Sequence, residues 1–278
     1  MRNILLFIVI SIVALSSCNR KQQQPENDQY EKVERFVNEE VVDTLSAKEQ
    51  EEFAAFYEAY FKNFSYEGIK VFQPMTYNET DFNKQLFHIM DTIVGLFKEG
   101  DSYILKPCRI EKVNTYENEC YGGDMLEPTL DTKGDCRYLF RGLNKYSEKE
   151  ALDTVAARFS LFPGEEKSFT FNNVSYKLRG EGRAKRNIAS TSWDSLVEYK
   201  LMLTDGDKTQ CITEMKEYSD TCTEVVFIGD LDGDGKPDFI ISSPDWYEDY
   251  RVLLLLSSFA EYNELVKLVS ITMDSFAC

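Results

Sequence analysis

Residues 228–241 read IGDLDGDGKPDFII, a loop rich in aspartate and glycine between two apolar runs. Positions 1, 3, 5 and 9 of the loop carry carboxylates, which belong to Asp230, Asp232, Asp234 and Asp238. Hard oxygen ligands at this spacing wrap a Ca²⁺ ion, and the backbone carbonyl of Lys236, at position 7, can add another ligand. Gly235, at position 6, permits the positive φ angle that such tight wrapping demands. The loop is therefore predicted to bind calcium.

The residues after the loop distinguish it from an EF-hand. That motif needs a bidentate Glu at position 12, where this chain has Ile241, and an apolar run typical of a strand begins where the exiting helix would start. The loop resembles the FG-GAP/VCBS type, which lies between strands in β-propeller blades and in many bacterial surface proteins. The resemblance implies side-chain ligands at positions 1, 3, 5 and 9 and the Lys236 carbonyl at position 7. It extends, more weakly, over residues 160–278, which are similar to the C-terminal half of bacterial lipoproteins with such a loop.

The chain from residue 161 to residue 278 is predicted to be mostly antiparallel β. Apolar and polar residues alternate in SFTFNNVSYKL (168–178), where Asn172-Asn173 marks a hairpin turn, and again over residues 197–203. Only one aspartate loop occurs in the sequence, and no other repeat accompanies it. The pattern therefore indicates a small sheet or sandwich with one calcium-clipped hairpin, and not a full propeller.

The preceding part, residues 46–160, is predicted to be rich in helix. Capping boxes at Ser46–Glu49 and Ser147–Glu150 are typical of helix starts. Apolar residues at helical spacing predict three helices: residues 47–63, a segment after Thr80-Asp81 that reaches Phe97, and about 148–158. The predicted fold class is α+β, with a helical N-terminal part packed on the antiparallel β region.

The N-terminus reads MRNILLFIVISIVALSSC, in which a positive residue precedes an apolar run of about twelve residues. This run is shorter than the roughly 20 residues of a membrane-spanning helix. Leu15–Cys18 resembles the lipobox of bacterial lipoproteins, which implies that residues 1–17 are a signal peptide and that Cys18 is acylated. Two or more acyl chains anchor a protein stably, so the membrane is an expected partner, through a tether over residues 18–45. Asn19 in place of Asp implies the outer membrane, with either face left open.

The other six cysteines predict disulfides. They are Cys108, Cys120, Cys136, Cys211, Cys222 and Cys278. An even number in an exported chain favours three disulfides, of which Cys211–Cys222 is the local candidate, with Cys278 reaching back to the middle of the chain. A zinc site is not expected, because no CxxC spacing occurs and His88 is the only histidine.

The charge balance excludes one class of partner. The chain has 31 Lys and Arg against 48 Asp and Glu, a formal net charge of −17. Nucleic acids and anionic lipid surfaces are bound through basic patches. The one basic cluster, in residues 179–186, is short and lacks interleaved aromatic residues. We therefore expect no nucleic-acid partner.

No motif assigns a catalytic residue: GxSxG, HExxH and GxxxxGK[ST] do not occur. Residues 244–250, PDWYEDY, follow the second calcium-flanking strand, and Trp246, Tyr247 and Tyr250 could stack on a sugar ring or contact a protein, or else pack over the sheet. The expected function is that of a non-enzymatic binding or envelope-structural protein whose partner is a glycan or an envelope protein. The alternative is a glycan-acting hydrolase that uses paired carboxylates.

Overall fold

The computed structural model describes residues 63–87, 93–118, 123–146, 151–155, 158–184, 196–218 and 220–276. Within these ranges the chain forms one short helix, α1 (Asp81–Leu86), and seventeen strands. In chain order the strands are β1 (Phe64–Ser65), β2 (Lys70–Phe72), β3 (Tyr77–Asn78), β4 (Ile93–Glu99), β5 (Ser102–Cys108), β6 (Ile110–Asn118), β7 (Gly123–Leu130), β8 (Asp135–Arg141), β9 (Thr154–Val155), β10 (Glu166–Phe171), β11 (Val174–Ala184), β12 (Leu196–Thr204), β13 (Thr209–Glu217), β14 (Glu224–Gly229), β15 (Asp238–Ser242), β16 (Asp249–Leu256) and β17 (Lys267–Ser275).

The strands form four antiparallel sheets. Sheet A has the order β1-β17-β16-β15-β14-β9, sheet B the order β2-β8-β4-β5, sheet C the order β3-β7-β6 and sheet D the order β10-β11-β12-β13. Three apolar layers lie between the sheets: one between sheets D and A, one between sheets A and B, and one between sheet B and sheet C with α1. The sheets are thus stacked in the order D, A, B, C, and sheet A is covered on both faces.

The burial of sheet A explains the apolar runs in and after the aspartate loop's flanking strands. Successive side chains of a strand point to opposite faces. In β15, Phe239 and Ile241 pack in the layer toward sheet D, whereas Ile240 packs toward sheet B. In β16, Leu253 and Leu255 face sheet D, whereas Val252, Leu254 and Leu256 face sheet B. A strand that is buried on both faces needs apolar residues at every position, which accounts for the run VLLLL at 252–256.

The α+β prediction is wrong for the described part of the chain, which is almost entirely β. The helix predicted after Thr80-Asp81 begins as expected, with the Thr80 hydroxyl accepting the Asn83 N–H at 3.1 Å, but it ends at Leu86. The apolar residues from Ile93 to Phe97 belong to β4 instead. Val94 and Leu96 pack toward sheet A, whereas Ile93 and Phe97 pack toward sheet C. Because β4 is buried on both faces, its residues form an apolar run, and this run also fits the spacing of an amphipathic helix.

The other two predicted helices have different outcomes. Residues 151–153 are not helical, and Thr154–Val155 forms β9, which pairs with β14 at the edge of sheet A. The helix predicted over residues 47–63 lies outside the described residues except for Asn63, as do the signal peptide, Cys18 and the tether. The hairpin predicted at Asn172-Asn173 is confirmed by the pairing of Phe171 with Val174. No helix within the described ranges is long and apolar enough to cross a membrane.

No disulfide joins any two of the four cysteines in the described ranges. The predicted pair Cys211–Cys222 is not formed, because Cys211 is exposed on the edge strand β13 whereas Cys222 is buried in the layer between sheets D and A. Cys108 and Cys136 lie on opposite sides of β4, across from Ile93 and Phe97. Burial raises the pKa of both thiols to about 12. Cys120 and Cys278 lie outside the described residues.

Candidate metal centre

The aspartate loop connects β14 to β15, two neighbouring strands of sheet A. Gly229 pairs with Asp238 at the point where the strands part, so the loop is closed at its base by the sheet itself. Gly233 and Gly235 have φ angles of 80° and 81°, in the left-handed region that glycine adopts without a steric penalty. The predicted tight turn is therefore present, and it lies at one end of the most deeply buried sheet.

Three carboxylates converge inside the loop. Asp230, Asp232 and Asp238 each place one oxygen within 4.8 Å of the others. Asp238 is fully buried and Asp230 is 2% exposed. Within the described ranges no Lys or Arg forms an ion pair with any of the three. A buried carboxylate group of this kind is costly unless it is paired with a cation or neutralised.

The electrostatics agree with this geometry. Burial raises the pKa of Asp238 well above its usual range, and the neighbouring Asp232 carboxylate raises it further. Burial also raises the pKa of Asp232, and the charges of Asp234 and Asp230 contribute to this increase. A bound divalent cation would reverse this balance, because it stabilises the ionised carboxylates. The donor set, made of hard anionic oxygens, fits Ca²⁺.

Backbone amides orient the carboxylates. The two oxygens of Asp238 accept the N–H groups of Leu231 at 2.7 Å and Ser257 at 2.8 Å. The two oxygens of Asp230 accept the N–H groups of Gly233 at 2.7 Å and Gly235 at 3.2 Å. Carboxylates that bind metals are usually held by such outer hydrogen bonds, so the loop presents its oxygens in a fixed arrangement.

The remaining two predicted ligands have different positions. Asp234 is not one of the three convergent carboxylates. Its oxygens accept the Ser257 hydroxyl at 3.0 and 3.1 Å, and one of them also accepts the Lys236 N–H at 2.8 Å. The structure thus brings three of the four predicted carboxylates together and places Asp234 beside them. Asp234 is hydrogen-bonded to the backbone N–H of Lys236, the residue whose carbonyl is the fifth predicted ligand.

Sequence reasoning missed three residues at the site. The Ser257 hydroxyl, which has one proton to donate, lies 3.0 Å from Asp238 and also within hydrogen-bond distance of Asp234, and the Ser258 hydroxyl donates to Asp232. Both serines directly follow β16. Because β16 pairs antiparallel with β15, the end of β16 lies next to the start of β15, where the aspartate loop ends. Two serines after an apolar run were the available signal. The third residue, Asn172, comes from sheet D and donates to the Gly235 carbonyl at 2.6 Å; no local pattern indicates it.

The 244–250 segment lies at the other end of β15. Trp246 and Tyr247 are 37% and 57% exposed, and their rings meet edge to face with centroids 5.3 Å apart. Tyr250 is placed differently: its ring packs edge to face on Tyr77 at 5.7 Å, and its hydroxyl accepts the Gln73 N–H at 3.1 Å. The two exposed aromatic rings thus face solvent, whereas Tyr250 packs within the stacked sheets.

Two carboxylates accompany the exposed rings. Burial raises the pKa of Asp249 to about 6, and a hydrogen bond and charge repulsion from Asp245 contribute to the increase. The Ser275 hydrogen bond opposes it. Asp245 and Asp249 therefore form an acidic pair beside Trp246 and Tyr247, in which Asp249 has the raised pKa.

Comparison with protein families matches the segment around the aspartate loop. Neither the curated proteins nor the solved structures give a significant match to the chain. FG-GAP repeats commonly bind calcium, and an FG-GAP repeat is found at residues 224–255, which comprise β14, the aspartate loop, β15 and most of β16.

Proposed function

We propose that the protein is a non-enzymatic, lipid-anchored envelope protein whose stacked sheets are stabilised by a Ca²⁺ ion in the β14–β15 loop. The convergence of three carboxylates inside an FG-GAP repeat carries this proposal. Asp230, Asp232 and Asp238 would hold the ion, with Asp234 and the Lys236 carbonyl completing the set. The role is structural, since the loop lies at the end of the central sheet and Asp238 is fully buried, whereas catalysis needs an accessible coordination position.

The second part of the proposal concerns location and partner. The lipobox-like Leu15–Cys18 would attach the chain to the outer membrane through acylated Cys18. The exposed rings of Trp246 and Tyr247 would then contact a glycan or an envelope protein. Aromatic side chains offer a large rigid surface with a small entropic cost on binding. Their exposure in a segment otherwise held by β15 and β16 supports this assignment.

Thermal and chemical unfolding of the purified protein, in EGTA and in 10 mM Ca²⁺, tests the calcium site. Extracellular Ca²⁺ modules bind with dissociation constants of about 10⁻⁴–10⁻³ M. At 10 mM Ca²⁺ the ion should then add about 1.4–2.7 kcal/mol to the free energy of unfolding. The variant Asp232→Ala/Asp234→Ala should show no such increase. Equal stability of the wild type with and without Ca²⁺, together with no heat of binding in calorimetry, would refute the proposal.

A glycan-acting hydrolase is the second candidate function, favoured by the acidic pair Asp245 and Asp249 beside two exposed rings. A carboxyl group with a raised pKa can act as a general acid, and paired carboxylates suffice for glycoside hydrolysis. Release of reducing sugar from a panel of polysaccharides by the wild type, but not by Asp249→Asn, would support this candidate. The absence of turnover with glycan binding intact would leave the non-enzymatic function.

The raised pKa of Asp249 also predicts a dependence of stability on pH. Between the unfolded value of about 4 and the folded value of about 6, the folded state binds more protons than the unfolded state. This contribution to stability is therefore fully present below pH 4 and is lost as the pH rises through 6. Urea unfolding in EGTA at several pH values should show the wild type losing stability relative to Asp249→Asn over this range. Parallel curves for the two proteins would contradict the prediction.

A further inference from the structure

We propose that Asn172, at the tip of the β10–β11 hairpin of sheet D, is a positioning residue for the calcium loop of sheet A. Its side-chain amide holds the peptide between Gly235 and Lys236 in the orientation of the closed loop. This inference rests on the proposed calcium site and extends it: the affinity for Ca²⁺ depends on a hairpin outside the FG-GAP repeat. It also gives the ion a second structural effect, which is to tie sheet D to sheet A.

The contact itself is direct. The Asn172 side-chain nitrogen lies 2.6 Å from the carbonyl oxygen of Gly235, a residue 63 positions away in the chain. The opposite end of the same peptide is also held, because the Lys236 N–H donates to Asp234 at 2.8 Å. A peptide unit is planar, so fixing its oxygen and its nitrogen fixes the whole unit. The next carbonyl, that of Lys236, is the predicted backbone ligand, and its direction then depends only on the torsions of Lys236.

Aromatic packing holds the hairpin against sheet A next to the loop. The Phe169 ring, on β10, meets the Phe239 ring edge to face, with the ring centroids 6.3 Å apart. Phe239 directly follows the buried Asp238. On β11, Tyr176 stacks on Phe169 at 5.3 Å. The charge of Asp234 contributes to the raised pKa of Tyr176, although burial is the main cause. The hairpin is thus anchored on sheet A by aromatic packing, with Asn172 at its tip.

The turn explains why an asparagine can occupy this position. Asn172 and Asn173 have φ angles of 45° and 65°, the two positive values of a type I′ turn. Asparagine and glycine are the residues that most readily adopt this conformation. The turn therefore accounts for both asparagines, but only the Asn172 amide reaches the calcium loop among the contacts of the described residues.

The energetic consequence follows from the repulsion inside the loop. Without a cation the three carboxylates repel one another and favour an open loop. The Asn172 contact exists in the closed loop, so it raises the fraction of molecules that are ready to bind. Apparent affinity scales with that fraction. The net worth of a neutral hydrogen bond corresponds to a change of about two- to tenfold in the dissociation constant. By linkage, bound Ca²⁺ strengthens the Asn172 contact by the same factor.

The test compares Asn172→Gly with Asn173→Gly. Glycine adopts positive φ at either position, so both variants keep the turn, but only the first removes the amide that contacts Gly235. Calorimetric Ca²⁺ titration should show an affinity about two- to tenfold weaker for Asn172→Gly and unchanged for Asn173→Gly. In ¹⁵N-labelled wild type, the side-chain NH₂ signal of Asn172 should shift when Ca²⁺ is added, whereas that of Asn173 should not.

The possible failures are distinguishable. A wild type that binds Ca²⁺ with the same affinity as Asn172→Gly overturns the role of Asn172 and leaves the calcium site intact. Loss of stability in EGTA with an unchanged dissociation constant also overturns it, since that result means a purely structural contact. No Ca²⁺ binding by the wild type overturns the calcium site itself, and the positioning role with it.

Discussion

Replacing Leu254 with Ala is expected to lower the free energy of unfolding by about 2–5 kcal/mol. Leu254 is fully buried in β16, opposite Ile240 and Ser270, and its side chain lies in the layer between sheets A and B. Neighbouring strands on both sides and a second sheet above it prevent the surroundings from collapsing into the cavity. The loss is large compared with a typical total stability of about 5–15 kcal/mol.

Urea unfolding in saturating Ca²⁺ measures this effect, with Tyr262→Ala as the control. Tyr262 is 91% exposed, so its truncation should change the free energy of unfolding by no more than about 0.5 kcal/mol. If Leu254→Ala lowered the free energy of unfolding by less than about 1 kcal/mol, sheet B could not cover this face of sheet A.

Asp238→Asn is expected to remove the whole calcium-dependent increase in stability, about 1.4–2.7 kcal/mol at 10 mM Ca²⁺. The substitution keeps the size of the side chain but removes the most buried charge of the loop. It also replaces one carboxylate oxygen by an NH₂ group, which cannot accept a hydrogen bond. Both oxygens of Asp238 accept backbone N–H groups, from Leu231 and Ser257. One of these donors then loses its partner, which costs about 1–3 kcal/mol.

In EGTA at pH 7 two effects of this substitution oppose each other. Removing the buried charge of Asp238 stabilises the folded state, because the pKa of Asp238 is raised, whereas the donor that has lost its partner destabilises it. The difference between EGTA and Ca²⁺ is therefore the informative quantity, and not the absolute stability. Asp207→Asn, which removes an exposed carboxylate of the β12–β13 turn, is the matched control and should keep the full calcium effect. If Asp238→Asn also kept it, the ion would bind elsewhere.

The position of the loop gives the proposed calcium site its structural importance. The loop joins β14 to β15 and contacts two further segments: its carboxylates bind the serines after β16, and its Gly235 carbonyl binds the hairpin of sheet D. An ion that stabilises the closed loop would therefore stabilise the end of the central sheet and its packing with sheet D. The exposed pair Trp246 and Tyr247 lies beyond the opposite end of β15, a strand about 14 Å long at about 3.4 Å per residue, so partner binding and calcium binding would use separate ends of one sheet.

Features that depend on local spacing could be predicted from the amino-acid sequence. Alternate aspartates with Gly233 and Gly235 define the loop because ligand spacing and positive φ are properties of a few consecutive residues. The paired asparagines define the β10–β11 turn for the same reason. The N-cap at Thr80 was equally readable, since its hydroxyl serves an amide only three residues later.

The elements that cover each apolar run could not be predicted in this way, because they depend on how the sheets pack. The stretch from Ile93 to Phe97 satisfies both a helical period and a strand that is buried on both faces, and the presence of sheets A and C on either side selects the strand. The cysteine count predicted pairs, but pairing requires two side chains to meet, and Cys211 and Cys222 face different environments. Likewise Asn172, Ser257 and Ser258 join the aspartate loop through strand pairing and sheet packing. Such contacts depend on distance in space, which the spacing of residues along the chain does not specify.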